Sequence, residues 1–187
     1  RQAGADLFRA ERDALTIPPL DTANAAQLFT HLRILMGTVI GLGIARMLAG
    51  FAGMIQHPGR ARLYAPHLIW ALSILLTLVQ FWWWEFALFD VPAWTFGAFV
   101  FLIAYCVALF MLCVLLFPDD IKEYAGYEEF FLSRRSWFFG FFALTVIFDI
   151  FDSSLKGWDY LNHLDLEYLI QVPVSLALCG VAIITRS

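Results

Sequence analysis

Enzyme signatures are missing from this sequence. It has no G-x-S-x-G, no H-E-x-x-H, no C-x-x-C and no glycine loop leading into a lysine. The usual nucleophile, zinc and phosphate-binding arrangements therefore have no carrier. Charge is scarce too: 15% of the 187 residues are Asp, Glu, Lys or Arg, well below the ~25% of soluble domains. No basic stretch with interleaved aromatics occurs, which excludes nucleic acid as an expected partner. Cysteine is limited to Cys106, Cys113 and Cys179, all inside apolar segments, so a disulfide framework is not expected and compartment cannot be read from them. No basic leader, short apolar core and cleavage site come before the first long apolar segment, so no removable signal peptide is expected.

What is abundant is apolar surface. Hydrophobic residues make up 61% of the chain, with 19 Phe, 7 Trp and 6 Tyr, and mean hydropathy is +0.73. This is the composition of an integral membrane protein. Apolar segments cover residues 32–56, 66–86, 93–117, 137–156 and 166–184. Each approaches the roughly 20 residues needed to cross ~30 Å of hydrocarbon. Backbone groups cannot stay unpaired in lipid, so these segments are expected to be helices. The expected fold is an all-α membrane protein: a bundle of about five transmembrane helices over 21–187, with one interfacial amphipathic helix. Residues 1–20 are read apart from it, as an extramembrane helix with a narrow apolar face (Leu7, Phe8, Leu15) ended by Pro18 and Pro19. Asp21 or Thr22 can cap the next helix.

The interfacial helix is expected in residues 118–136, PDDIKEYAGYEEFFLSRRS, where Ile121, Tyr124, Tyr127 and Phe131 recur at helical spacing. It would place Arg134 and Arg135 at lipid-headgroup level. Trp82, Trp83, Trp84 and Trp94 form an aromatic girdle at the opposite interface. Arg60, Arg62, Lys122, Arg134, Arg135 and Arg186 fall on one side of the five-span arrangement. The positive-inside rule then puts the C-terminus in the cytoplasm and the N-terminus outside. In general pattern the chain resembles small bacterial membrane proteins, with no motif that carries functional residues over. The expected location is a bacterial cytoplasmic membrane.

Along the first segment every fourth residue is small: Gly37, Gly41, Ala45, Ala49 and Gly53. These form a slowly drifting ridge along one side of a helix. Such a ridge is expected to be a helix–helix contact, within the bundle or between subunits. Arg46 lies beside it and should point toward protein.

Polar residues at membrane depth are the candidate functional groups. Thr145, Asp149, Asp152, Ser153 and Lys156 share one face of the fourth segment, with Asp152 and Lys156 at pairing distance i,i+4. Ser73, Thr77, Gln80 and Trp84 line one side of the second segment, and Gln171 and Ser175 mark the fifth. Together with Arg46 they define an expected polar interior, or ion path, biased to the outer half of the membrane. Arg46 and Asp149 are the expected buried partners, across a depth difference of about 10 Å to be closed by tilt or water. His31 and His67 lie at opposite depths, which rules out a shared haem. In NHLDLEY, His163, Asp165 and Glu167 alternate and would converge only in a strand or irregular loop, so a solvated acidic loop is the simpler reading. No metal and no cofactor is expected.

Two functions remain at this level. The first is a non-enzymatic membrane component, an accessory or structural subunit or homo-oligomer, that works by helix packing. Its partners would be the lipid bilayer and other membrane subunits or copies of itself. The second is a small ion or proton channel or carrier whose path runs past Arg46, Gln80, Asp149 and Asp152.

Overall fold

The computed structural model describes residues 22–57, 59, 62–85, 88, 95–155 and 166–185. The helices are α1 (Thr22–Gln56), α2 (Ala65–Trp84), α3 (Phe96–Leu116), α4 (Tyr127–Leu155) and α5 (Leu166–Ile184), with a one-turn 3-10 helix at Ile121–Glu123. Among the described residues there is no strand, only an isolated bridge between Arg62 and Gly126. The first four helices are long and apolar enough to cross a membrane, while the apolar stretch of α5, Ile170–Ile184, is shorter. The chain is an all-α integral membrane protein. The N-terminal helix, Lys156 of the expected Asp152–Lys156 pair and the 157–165 loop lie outside the described residues.

Helix starts follow local chemistry. Pro66 stands in the first turn of α2, where its missing N–H costs nothing. Thr95 caps α3, its Oγ1 accepting from the Ala98 N–H at 3.1 Å. α3 is the central helix, packed on α1 and α4, with α2 touching all three and α5 against α4. Its buried residues, including Leu102, Tyr105, Cys106, Leu109, Leu112, Cys113 and Leu116, form a broad stripe. α2 buries a narrower one at alternating spacings of four and three: His67, Ala71, Ile74, Leu78, Phe81.

The expected interfacial helix is corrected. Residues 118–126 hold only the 3-10 turn, and residues 127–136 are the opening turns of α4 itself. The reason is packing. Tyr127, Phe130 and Phe131 are buried in the bundle rather than laid on lipid, and no Gly or Pro interrupts the chain from Glu128 to Phe139. Arg134 is exposed and Arg135 half-buried on this helix, with Arg134 Nη2 donating to the Tyr124 hydroxyl at 3.4 Å. Pro173 lies inside α5.

One end of the bundle is tied at a common level. His67 Nε2 donates to the Leu116 carbonyl (2.6 Å), and its ring stacks on Tyr127 with centroids 4.9 Å apart. The Tyr127 N–H in turn donates to the Arg62 carbonyl at 3.2 Å. The starts of α2 and α4 and the end of α3 therefore meet, and the 21 residues of α3 rise about 30 Å from that plane. α1 is longer, at 35 residues, and its last turns run past the plane.

Candidate functional site

At the other end of α2 a cavity of about 220 Å³ opens among α2, α3, α4 and α5. α2 supplies Thr77, Gln80 and Trp84, with Glu85 immediately after it; α4 supplies Thr145, Asp149, Asp152 and Ser153; α5 supplies Gln171 and Ser175; α3 supplies Tyr105. Helical spacing explains each set, because residues three or four apart return to the same face. Asp152, Glu85, Ser153 and Thr145 are buried. Asp149, Thr77 and Ser175 are half-buried, and Gln80 and Gln171 are exposed.

The chemistry is that of an oxygen-rich, acidic chamber. Thr77 Oγ1 donates to the Ser73 carbonyl at 2.9 Å, and Thr145 Oγ1 to the Phe142 carbonyl at 2.7 Å. Each hydroxyl hydrogen is thus committed to its own helix, and both oxygens can offer only lone pairs. With three carboxyl groups and two side-chain amides, the lining favours a proton or a cation over an anion. The carboxylates are spread around the chamber: among the described residues, no group of three His, Cys, Asp or Glu is arranged to hold a metal ion.

Most of the sequence-derived polar set converges here: Thr77, Gln80, Asp149, Asp152 and Gln171. Ser73 does not; it is exposed on α2 outside the cavity. Arg46 is also elsewhere, and the expected Arg46–Asp149 pairing is corrected. Arg46 Nη2 donates to the Phe117 carbonyl at 2.8 Å and to Asp119 Oδ1 at 2.5 Å. The final carbonyls of a helix lack intrahelical donors and form the negative end of its dipole. Arg46 is level with that end of α3, so it pairs there rather than across the membrane. It lines a second cavity of about 350 Å³, between the end of α1 and the α3–α4 connection.

Glu85 and Tyr105 are cavity residues that sequence reasoning missed. A signal for Glu85 was present: it continues the buried stripe of α2 four positions after Phe81. Its place after three tryptophans gives it the sequence context of an interface charge instead.

The small-residue ridge divides. Gly37 packs under Trp82, whose ring would stand 2.9 Å from an added Cβ. Gly41 and Gly53 face open space, and Ala45 and Ala49 are exposed. Two further closely packed glycines of α1 lie off the ridge: Gly43 against Leu78 and Cys113, and Gly50 against the Phe117 ring. In the buried stripe Phe29, Leu32, Met36, Ile40, Met47, Met36 and Ile40 stand one position before Gly37 and Gly41, about 100° around the helix.

Comparison of this chain with protein families, with curated proteins and with solved structures finds no match.

Proposed function

We propose that this integral membrane protein is a non-enzymatic carrier or channel component of a bacterial cytoplasmic membrane, and that it takes up a proton or a small hydrated cation in the acidic cavity. The observation that supports this reading is convergence: polar residues from four segments of sequence line one chamber containing Glu85, Asp149 and Asp152. Ionisable side chains at membrane depth are expensive, and their usual role there is to handle ions or protons. Reconstitution into liposomes with an internal pH dye and an imposed potassium diffusion potential tests it. Wild-type protein should carry protons, or sodium or potassium in parallel assays, above empty liposomes. Asp149→Asn should lower that flux about tenfold or more with unchanged folding. Wild-type flux equal to that of empty liposomes for all three ions would defeat the reading.

A second reading rests on α1. The exposed run Gly41, Ala45, Ala49 and Gly53 leaves a shallow, open helix face, the kind of surface on which another transmembrane helix packs closely. In this reading the chain assembles with itself or with another membrane subunit. Cysteine cross-linking from Ala45→Cys in native membranes tests it, and absence of any cross-linked species would count against assembly through this face.

A further inference from the structure

The Arg46 cavity is not used by the proposed carrier reading, and its chemistry differs from that of the acidic chamber. Its floor is Ala49, Gly50 and Gly53 on α1, and His57 stands at the rim. The Arg46 side chain is 30% exposed and that of Asp119 93% exposed. One guanidinium nitrogen, Nη2, serves Phe117 and Asp119. The Arg46 Nε–H is buried and has no hydrogen-bond partner, which leaves a donor short of an acceptor in a place where that is unfavourable.

The charge pattern selects the ligand. A cation and a carboxylate stand side by side, so a simple anion on Arg46 would be repelled by Asp119, and a simple cation would meet the reverse. A zwitterion satisfies both. A phosphate oxygen can accept from the Arg46 guanidinium, which lines the cavity, while a neighbouring primary ammonium donates to the solvent-facing Asp119 carboxylate. A quaternary ammonium has no N–H and cannot make the second bond. Position selects the source. Arg46 is level with the end of α3, where the apolar span meets the headgroup region. From the cavity floor the exposed small residues Ala49, Ala45 and Gly41 continue up α1 into the bilayer, leaving room for an acyl chain.

We propose that this cavity holds the headgroup of an amine-bearing phospholipid, its phosphate on Arg46 and its ammonium on Asp119. Native mass spectrometry on the full chain from nanodiscs tests it, with phosphatidylethanolamine, phosphatidylcholine or phosphatidylglycerol as the probe lipid. Phosphatidylethanolamine should be retained about fivefold or more over the other two. Asp119→Asn should bring it down to the phosphatidylcholine level, and Arg46→Gln should reduce retention of all three. If Arg46→Gln fails to fold, Gly53→Leu gives the same test. Its side chain enters space that is empty, so it should block the cavity without disturbing the bundle. Equal retention of the three lipids, or a preference that survives Gly53→Leu, would overturn the proposal. So would displacement of the lipid by an equal concentration of soluble phosphoethanolamine, which would make the ligand a solute rather than a lipid.

Discussion

The His67 imidazole stands 2.6 Å from the Leu116 carbonyl oxygen, and this bond joins the start of the second span to the end of the third. His67 is fully buried, enclosed by Tyr127, Phe117 and Phe131. A carbonyl can only accept, so Nε2 carries the proton.

His67→Ala should therefore remove a hydrogen bond and leave a void among three rings. The expected loss is about 2–4 kcal/mol of stability, read as a lower melting temperature in detergent. His67→Ala melting like the wild type would show that the aromatic cage holds without its centre.

Glycine tolerance on α1 should follow packing and not the i,i+4 pattern. An added Cβ at Gly50 would land on the Phe117 ring, whereas one at Gly41 meets nothing within 4 Å. Gly50→Ala should cost about 1–3 kcal/mol by overpacking. Gly41→Leu should leave the isolated chain's melting unchanged and weaken only an assembly formed through that face. The reverse order in a detergent melt would place the contact surface on the ridge after all.

Arg46 and Asp149 should behave as independent sites. They line different cavities, so a double-mutant cycle with Arg46→Met and Asp149→Leu should show coupling below about 0.5 kcal/mol. The cycle pairing Arg46→Met with Asp119→Asn should give a larger coupling, up to about 1 kcal/mol for an ion pair this exposed. Recovery of lost stability in the Arg46–Asp149 double variant would contradict the geometry.

Ser73 supplies an internal control for the ion-handling reading. It shares a helix side with Thr77 by sequence, yet it is exposed outside the cavity that Thr77 and Gln80 line. Ser73→Ala should leave liposome flux at the wild-type level, while Gln80→Leu should lower it severalfold by removing a polar lining group. A flux defect in Ser73→Ala equal to that in Gln80→Leu would mean the path lies elsewhere.

Much of the architecture is legible in the sequence. A stretch such as FGAFVFLIAYCVALFMLCVLL has one stable form in lipid, because its backbone must pair within itself and its length must match the hydrocarbon. These constraints are local, and they place the C-terminal ends of the helices within a few residues, whereas α1 and α4 begin about ten residues before their apolar segments. The same locality made the faces of α2, α4 and α5 legible, and Thr77, Gln80, Asp149, Asp152 and Gln171 do line one chamber. The interfacial helix was misplaced because amphipathic spacing does not say whether an apolar face meets lipid or protein. In residues 127–136 it meets protein, at Tyr127, Phe130 and Phe131.

What only the tertiary structure decided is which polar atoms share a depth. Arg46 had to face a partner, but whether that was Asp149 or Asp119 depended on the stagger of α1 against α3. The helix end at Phe117 supplies a free carbonyl at the right level, and Asp119 follows it by two residues. The ridge shows the same limit. Gly37, Gly41, Ala45, Ala49 and Gly53 repeat identically whether a neighbour covers them or not. The neighbours settled instead along Phe29, Leu32, Met36, Ile40 and Met47, where larger side chains bury more surface.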